Sequence, residues 1–158
     1  MNDRLVERRR DQLVLTTDRR RIDQPVVLAM LKRSHWGASV TTDNLARAIE
    51  NSVCVSIFDG ERQLAFARVV TDLATYAYLT DVIVADDARG QGLGTWMVEE
   101  ILEHPDLQGL RRFSLLTRDA KTLYERFGFT TRMATSTYME KRIQASAPES
   151  VERKSQPR

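Results

Sequence analysis

A chain of 158 residues, 42% hydrophobic and 29% charged, has the length and apolar content for one folded domain with its own core. Its formal net charge is only +2 with acids and bases interspersed, so it carries no electrostatic footprint for nucleic acid. No apolar run approaches membrane-spanning length, and the charged N-terminus lacks the apolar core of a signal peptide, which predicts a cytoplasmic protein.

Residues 1–12 are charge-rich without periodicity and predict a frayed or partly helical arm. The clusters Arg8-Arg9-Arg10 and Arg19-Arg20-Arg21 are flanked by acids and read as solvated faces rather than binding patches. Residues 13–17 predict a short strand. Asp23 or Gln24 with Pro25 predicts a helix start, and Val26, Val27, Met30 and Leu31 supply its buried stripe. Ser34-His35-Trp36-Gly37 breaks that helix, and Thr41-Thr42-Asp43 caps a second one carrying Leu45, Ala46, Ala48 and Ile49.

Residues 53–58 and 63–70 predict two strands joined by a hairpin at Asp59-Gly60. Cys54, the only cysteine, lies between Val53 and Val55; it forms no intrachain disulfide and reads as a small core residue. A looser turn at 71–75 leads into a third strand, so these strands predict an antiparallel meander. Pro105 ends a later helical pattern, and residues 112–117 predict another strand. A last helix over 119–127 is followed by Gly128 as its C-terminal cap. Strands near 129–132 and 135–141 would finish the sheet. The composition from about residue 144 onward predicts a disordered tail.

Residues 76–102 carry the most chemistry. Thr80-Asp81-Val82-Ile83-Val84 reads as a buried strand. A polar turn follows, then Arg89-Gly90-Gln91-Gly92-Leu93-Gly94 and an amphipathic helix with Leu93, Met97 and Ile101. Alternating glycines let the backbone approach a ligand closely, and the amide hydrogens of the helix start suit a phosphate or diphosphate. Arg89 would add a charge-assisted contact. No Gly-Lys-Ser/Thr closes the turn, which excludes a Walker loop. A dinucleotide fingerprint fits poorly, because the third glycine lacks its offset and the turn after Val84 is long. A glycine-rich turn without ligand is the plain alternative.

The pattern Arg89-x-x-Gly92-x-Gly94 resembles the acetyl-CoA signature of the GCN5-related N-acetyltransferase (GNAT) superfamily. A second segment, Ala120-x-x-Leu123-Tyr124-Glu125-x-Phe127-Gly128-Phe129, resembles that superfamily's later helix ending in Gly-Phe, and it occurs in the expected order. The resemblance covers roughly residues 13–142 and implies a domain over 13–143 between the arm 1–12 and the tail 144–158. It implies an α/β fold: a mixed, mostly antiparallel sheet of about six or seven strands, flanked by about four helices, with a splay between strands 4 and 5.

The resemblance also implies a function: transfer of acetyl from acetyl-CoA to a primary amine by direct attack in a ternary complex. The acceptor would be a small-molecule or protein amine, with no metal and with a possible homodimer. The loop Arg89, Gly90, Gln91, Gly92, Leu93, Gly94 and Thr95 would hold the diphosphate. Backbone groups of Val82, Ile83 and Val84 would bond the pantetheine arm. Thr117 stands where many members carry a cofactor-binding Asn. Tyr124 matches the tyrosine that protonates departing CoA, or else it packs in the core. Asp81 is a water-mediated base, or the partner of a neighbouring arginine such as Arg68; Asp72 is a more remote candidate base. If strict alternation holds, Tyr78, Thr80 and Val82 share a face, and Tyr78 and Thr80 line the pocket. Trp36 and His35 contact the acceptor, or Trp36 plugs the helix pair. The same fold without the chemistry would be a CoA-binding or regulatory module.

Overall fold

The structure, a computed structural model, describes residues 3–131. Six strands form one sheet in sequential order: β1 (Glu7–Arg10), β2 (Leu13–Thr16), β3 (Val53–Asp59), β4 (Arg62–Thr71), β5 (Tyr76–Val84) and β6 (Arg112–Leu115). All neighbours are antiparallel except β5 and β6, which are parallel. The helices are α1 (Gln24–Arg33), α2 (Thr42–Glu50), α3 (Leu93–Glu103) and the short α4 (Lys121–Glu125). This is the mixed α/β architecture the sequence implied.

Each face of the sheet has its own core. Val27 and Leu31 of α1 and Leu45 and Ile49 of α2 pack on Cys54, Phe66 and Ile83. On the other face Leu93, Trp96, Met97, Val98 and Ile101 of α3, with Tyr124 of α4, pack on Val55, Ile57, Ala65, Ala67, Ala77 and Leu79. Local chemistry sets the boundaries. Asp23 caps α1 by accepting from Val26 N at 3.1 Å, and Thr41 caps α2 by accepting from Asn44 N at 3.2 Å. Gly37 closes the end of α1 so tightly that a Cβ there would lie 2.2 Å from Leu31 O.

Residues 7–10 are a strand, not the frayed or helical arm expected. Asp11 takes φ 51° and turns the chain back so that β1 pairs with β2. The strand was hidden because all four of its residues are exposed, so it carries no alternation. Polar contacts staple it to α3 instead. Arg10 bonds Glu99 at 2.9 Å and lies 4.5 Å over the Trp96 ring, and Arg8 pairs with Glu100 at 3.3 Å.

The feature that shapes the site is a bulge in β5. Phe66 pairs with Ile83, but Arg68 pairs with Thr80, so Asp81 and Val82 together stand opposite Ala67. Asp81 has φ 55°, in the left-handed region that asparagine and aspartate tolerate best among side-chain-bearing residues. The extra residue reverses the strand's faces. Ala77 and Leu79 belong to the α3 core, whereas Ile83, of the same parity, belongs to the α1–α2 core. Val82 packs on the α3 core with Ala77 and Leu79, so it does not share a face with Tyr78 and Thr80 as strict alternation predicted.

Strands β5 and β6 pair from Tyr76↔Arg112 to Leu79↔Leu115 and then part. Thr80 to Val84 runs on without a β6 partner, and Leu116, 77% exposed, stands where β6 leaves. The strand predicted over 112–117 therefore stops two residues early, at the splay. Helix α4 is shorter than the 119–127 expected, because Phe127 N turns to Tyr124 O in the tighter three-residue spacing. Residues 129–131 form no strand; Arg132, the predicted strand 135–141 and the tail lie outside the described residues.

Candidate active site

After β5 the chain makes a one-turn 3-10 segment, Asp86–Ala88, and then the glycine loop. Gly90 and Gly92 both have φ 77°, a conformation that side-chain-bearing residues rarely adopt. Gly92 is the N-cap of α3, and the first ladder bond runs from Trp96 N to Gly92 O at 3.0 Å. The N–H groups of Leu93, Gly94 and Thr95 thus precede the ladder and lie at the positive end of the helix. A Cβ built on Gly90, Gly92 or Gly94 meets nothing within 4 Å, so the loop is open at all three positions. Leu93 is buried beneath it and anchors the helix start.

Charged side chains rim the loop. Asp86 pairs with Arg33 at 2.7 Å and with Arg89 at 2.9 Å, and Asp87 pairs with Arg62 at 2.6 Å. Arg89, one of the predicted phosphate contacts, is well exposed, and its Nε also points to Val84 O at 3.4 Å. Across the loop Arg126 donates to Thr95 Oγ1 at 3.4 Å. Sequence reasoning missed Arg126, Arg33 and Arg62 here, because no local spacing links them to residue 89.

Val82, Ile83 and Val84 lie on β5 beyond the last β6 pair, where the resemblance put the pantetheine contacts. Asp81 accepts from Arg68 Nε at 2.8 Å in a pair whose side chains are only 17% and 13% exposed, and Arg68 Nη1 also donates to Ser52 Oγ at 3.1 Å. Arg68 is thus the partner the sequence pointed to. Asp72 is absorbed by its own turn, where it accepts from Ala74 N, Thr75 N, Thr75 Oγ1 and Tyr76 N. These bonds, that from the Thr75 hydroxyl foremost, hold its carboxyl well below the usual range and make it a weak base committed to its own turn.

Tyr124 is 7% exposed, in edge-to-face contact with Phe129 at 6.0 Å. Burial, and secondarily the charge of Asp119, pushes its phenol above the ordinary value. Thr117 Oγ1 accepts from Ala120 N at 3.0 Å, forming the turn into α4. Trp36 is 48% exposed and packs edge-to-face on His35 at 4.7 Å, so it is not the plug between helices. Tyr78 and Thr80 are half-buried on β5. Burial pushes the Cys54 thiol up to about 12, in keeping with a core residue. No helix among the described residues is long and apolar enough to cross a membrane.

Comparison with known proteins meets this geometry. The pattern of the acetyltransferase (GNAT) domain matches residues 50–131, just over half of the chain. A solved structure from Xanthomonas campestris pv. campestris, provisionally named as a GNAT-family acetyltransferase, is 40% identical with a TM-score of 0.79; the match covers 83% of this chain and 93% of that one. A Gibberella zeae protein with a provisional acetyltransferase name is 30% identical over 110 residues, 56% of this chain. The match spans 61% of that curated relative's length. Glucosamine-6-phosphate N-acetyltransferase from Arabidopsis thaliana shares the fold, with a TM-score of 0.57 at 21% identity over 90% of this chain and all of that one. The chain belongs to the GNAT acetyltransferase family.

Proposed function

We propose that the protein is an acetyl-CoA-dependent N-acetyltransferase that acetylates a primary amine by direct attack within a ternary complex. The observation that carries this reading is the open glycine loop at the start of α3, one short turn after a β5 segment freed from β6. Acetyl-CoA, when bound, supplies an activated acyl thioester. The amide hydrogens of Gly90 to Thr95 would hold its diphosphate, with Arg89 exchanging part of its contact with Asp86 for a phosphate oxygen. The β5 backbone at Val82, Ile83 and Val84 would bond the pantetheine amides as a neighbouring strand would. Tyr124 is the group that would hold a proton for the leaving thiolate. Tyr78, Thr80 and the exposed His35–Trp36 pair would meet the acceptor. Thr117, with one lone pair engaged by Ala120 N, keeps its hydroxyl proton and a second lone pair for the cofactor.

Gly92→Glu tests the reading. Its side chain would enter the open face of the loop, on a backbone of φ 77°, and present a carboxylate to the diphosphate. Acetyl-CoA binding in calorimetry should vanish, together with thiol release across a panel of amines. Micromolar binding by that variant would remove the loop from the reading. Wild-type binding with no thiol release toward any amine would favour a CoA-binding module, a role with which the core burial of Tyr124 also agrees.

A further inference from the structure

We propose that Arg68 is a positioning residue: through Asp81 it holds the β5 bulge, and the bulge sets the Val82–Val84 backbone along which the pantetheine arm lies. The inference rests on the acetyl-CoA reading above and deepens it. Four observations meet at this point. The bulge places Asp81 and Val82 against Ala67 alone, and β5 loses β6 after Leu79, two residues before Asp81. A bulge bends and over-twists its own strand, so a bend here directs β5 away from the straight course of β6.

Asp81 adopts φ 55°, which a side-chain-bearing residue keeps only when its surroundings fix it. The fixing contacts are Arg68 Nε at 2.8 Å and Thr80 Oγ1 at 3.3 Å, with Arg68 itself tethered to Ser52. Finally, the bulge decides which side of the strand each later residue faces. Phe66 and Ile83 meet in the α1–α2 core, while Ala65 and Val84 meet on the α3 side. A slip that removed the extra residue would exchange those faces and turn the backbone groups of residues 82–84 over as well. Arg68 lies on β4, and its part in the site is to hold Asp81, not to meet the ligand.

Two probes separate positioning from general damage. Acetyl-CoA engages both the loop and β5, whereas 3′-phosphoadenosine 5′-diphosphate carries the nucleotide and diphosphate without the pantetheine arm. In calorimetry, Arg68→Met should weaken acetyl-CoA about tenfold and the nucleotide less than about twofold, the loss of one or two hydrogen bonds on the arm. Arg68→Lys, which still reaches the carboxylate with a charge, should recover most of that loss. Asp81→Gly keeps the backbone free to hold φ 55° and deletes the carboxylate; it should weaken acetyl-CoA as Arg68→Met does. The double variant should be no worse than either single one, as for two groups acting as one unit.

Should Arg68→Met fold poorly, Arg68→Gln carries the same comparison with an expected loss of about threefold. Equal weakening of both ligands, no change in either, or additive losses in the double variant would overturn the inference. Wild-type protein that binds neither ligand would instead overturn the acetyl-CoA reading on which it stands.

Discussion

A phenol can hand over a proton only if it still carries one at the working pH. Burial, reinforced by Asp119, raises the Tyr124 phenol above the ordinary value of 10.0, so it stays protonated throughout the neutral range. Tyr124→Phe keeps the ring and its contact with Phe129 and removes only the hydroxyl. We expect turnover to fall by roughly 10- to 100-fold, the scale of one general acid, with acetyl-CoA affinity within about twofold. The wild-type rate should show no limb from this phenol below about pH 10. Steady-state kinetics beside calorimetry would check both; an unchanged turnover number would leave Tyr124 a packing residue. Residues like this one and the loop glycines were legible because their types and spacing are themselves the signal. Thr117 was not, since a hydroxyl that caps its own turn leaves no trace in spacing.

At the level of elements, turns and bulges explain where reading from sequence stopped. The two-residue turn at Gly60 and Glu61 was legible from Asp59-Gly60, and Gly60 indeed supplies φ 57°. The β5 bulge was not, because Thr80-Asp81-Val82-Ile83-Val84 looks like an unbroken strand and only its pairing with β4 shows the extra residue. The turn before β5 carries a pH signature. Asp72 is ionised and bonded in the folded state, with its carboxyl below the unfolded value of 3.8. The stabilisation it gives is therefore present above that unfolded value and is lost as pH falls through the folded one. Asp72→Asn should lower the urea midpoint at neutral pH, and its gap to wild type should narrow as pH falls below about 4. A gap independent of pH would assign the effect to the shape of the turn rather than to its charge.

The whole molecule is a sheet with a core on each face, and both cores were foreseeable from apolar periodicity; the edge that guards the sheet was not. Strand β1 is polar and exposed, yet the segment that bears it closes several accounts of hydrogen bonding. His104, almost wholly buried, accepts from Asp106 N at Nδ1, so Nε2 carries the proton it gives to Arg4 O at 3.1 Å. Asp3 pairs with Arg19 at 2.6 Å, Arg4 with Asp106 at 3.0 Å, and the buried Val6 accepts from Thr17 N at 3.0 Å. Removing residues 1–11 would take from His104 Nε2 its acceptor at Arg4 O, uncover Trp96 and turn β2 into an edge strand of Leu-Val-Leu-Thr. The lost histidine hydrogen bond alone is worth about 0.5–1.5 kcal/mol. We therefore expect the unfolding free energy to drop by at least about that amount in urea titrations. An apolar edge without the arginines of β1 also invites strand pairing between copies, so sedimentation should show association beyond that of the full chain. An unshifted midpoint with unaltered mass would mean that β1 guards nothing, and that β2 is protected by its own shortness.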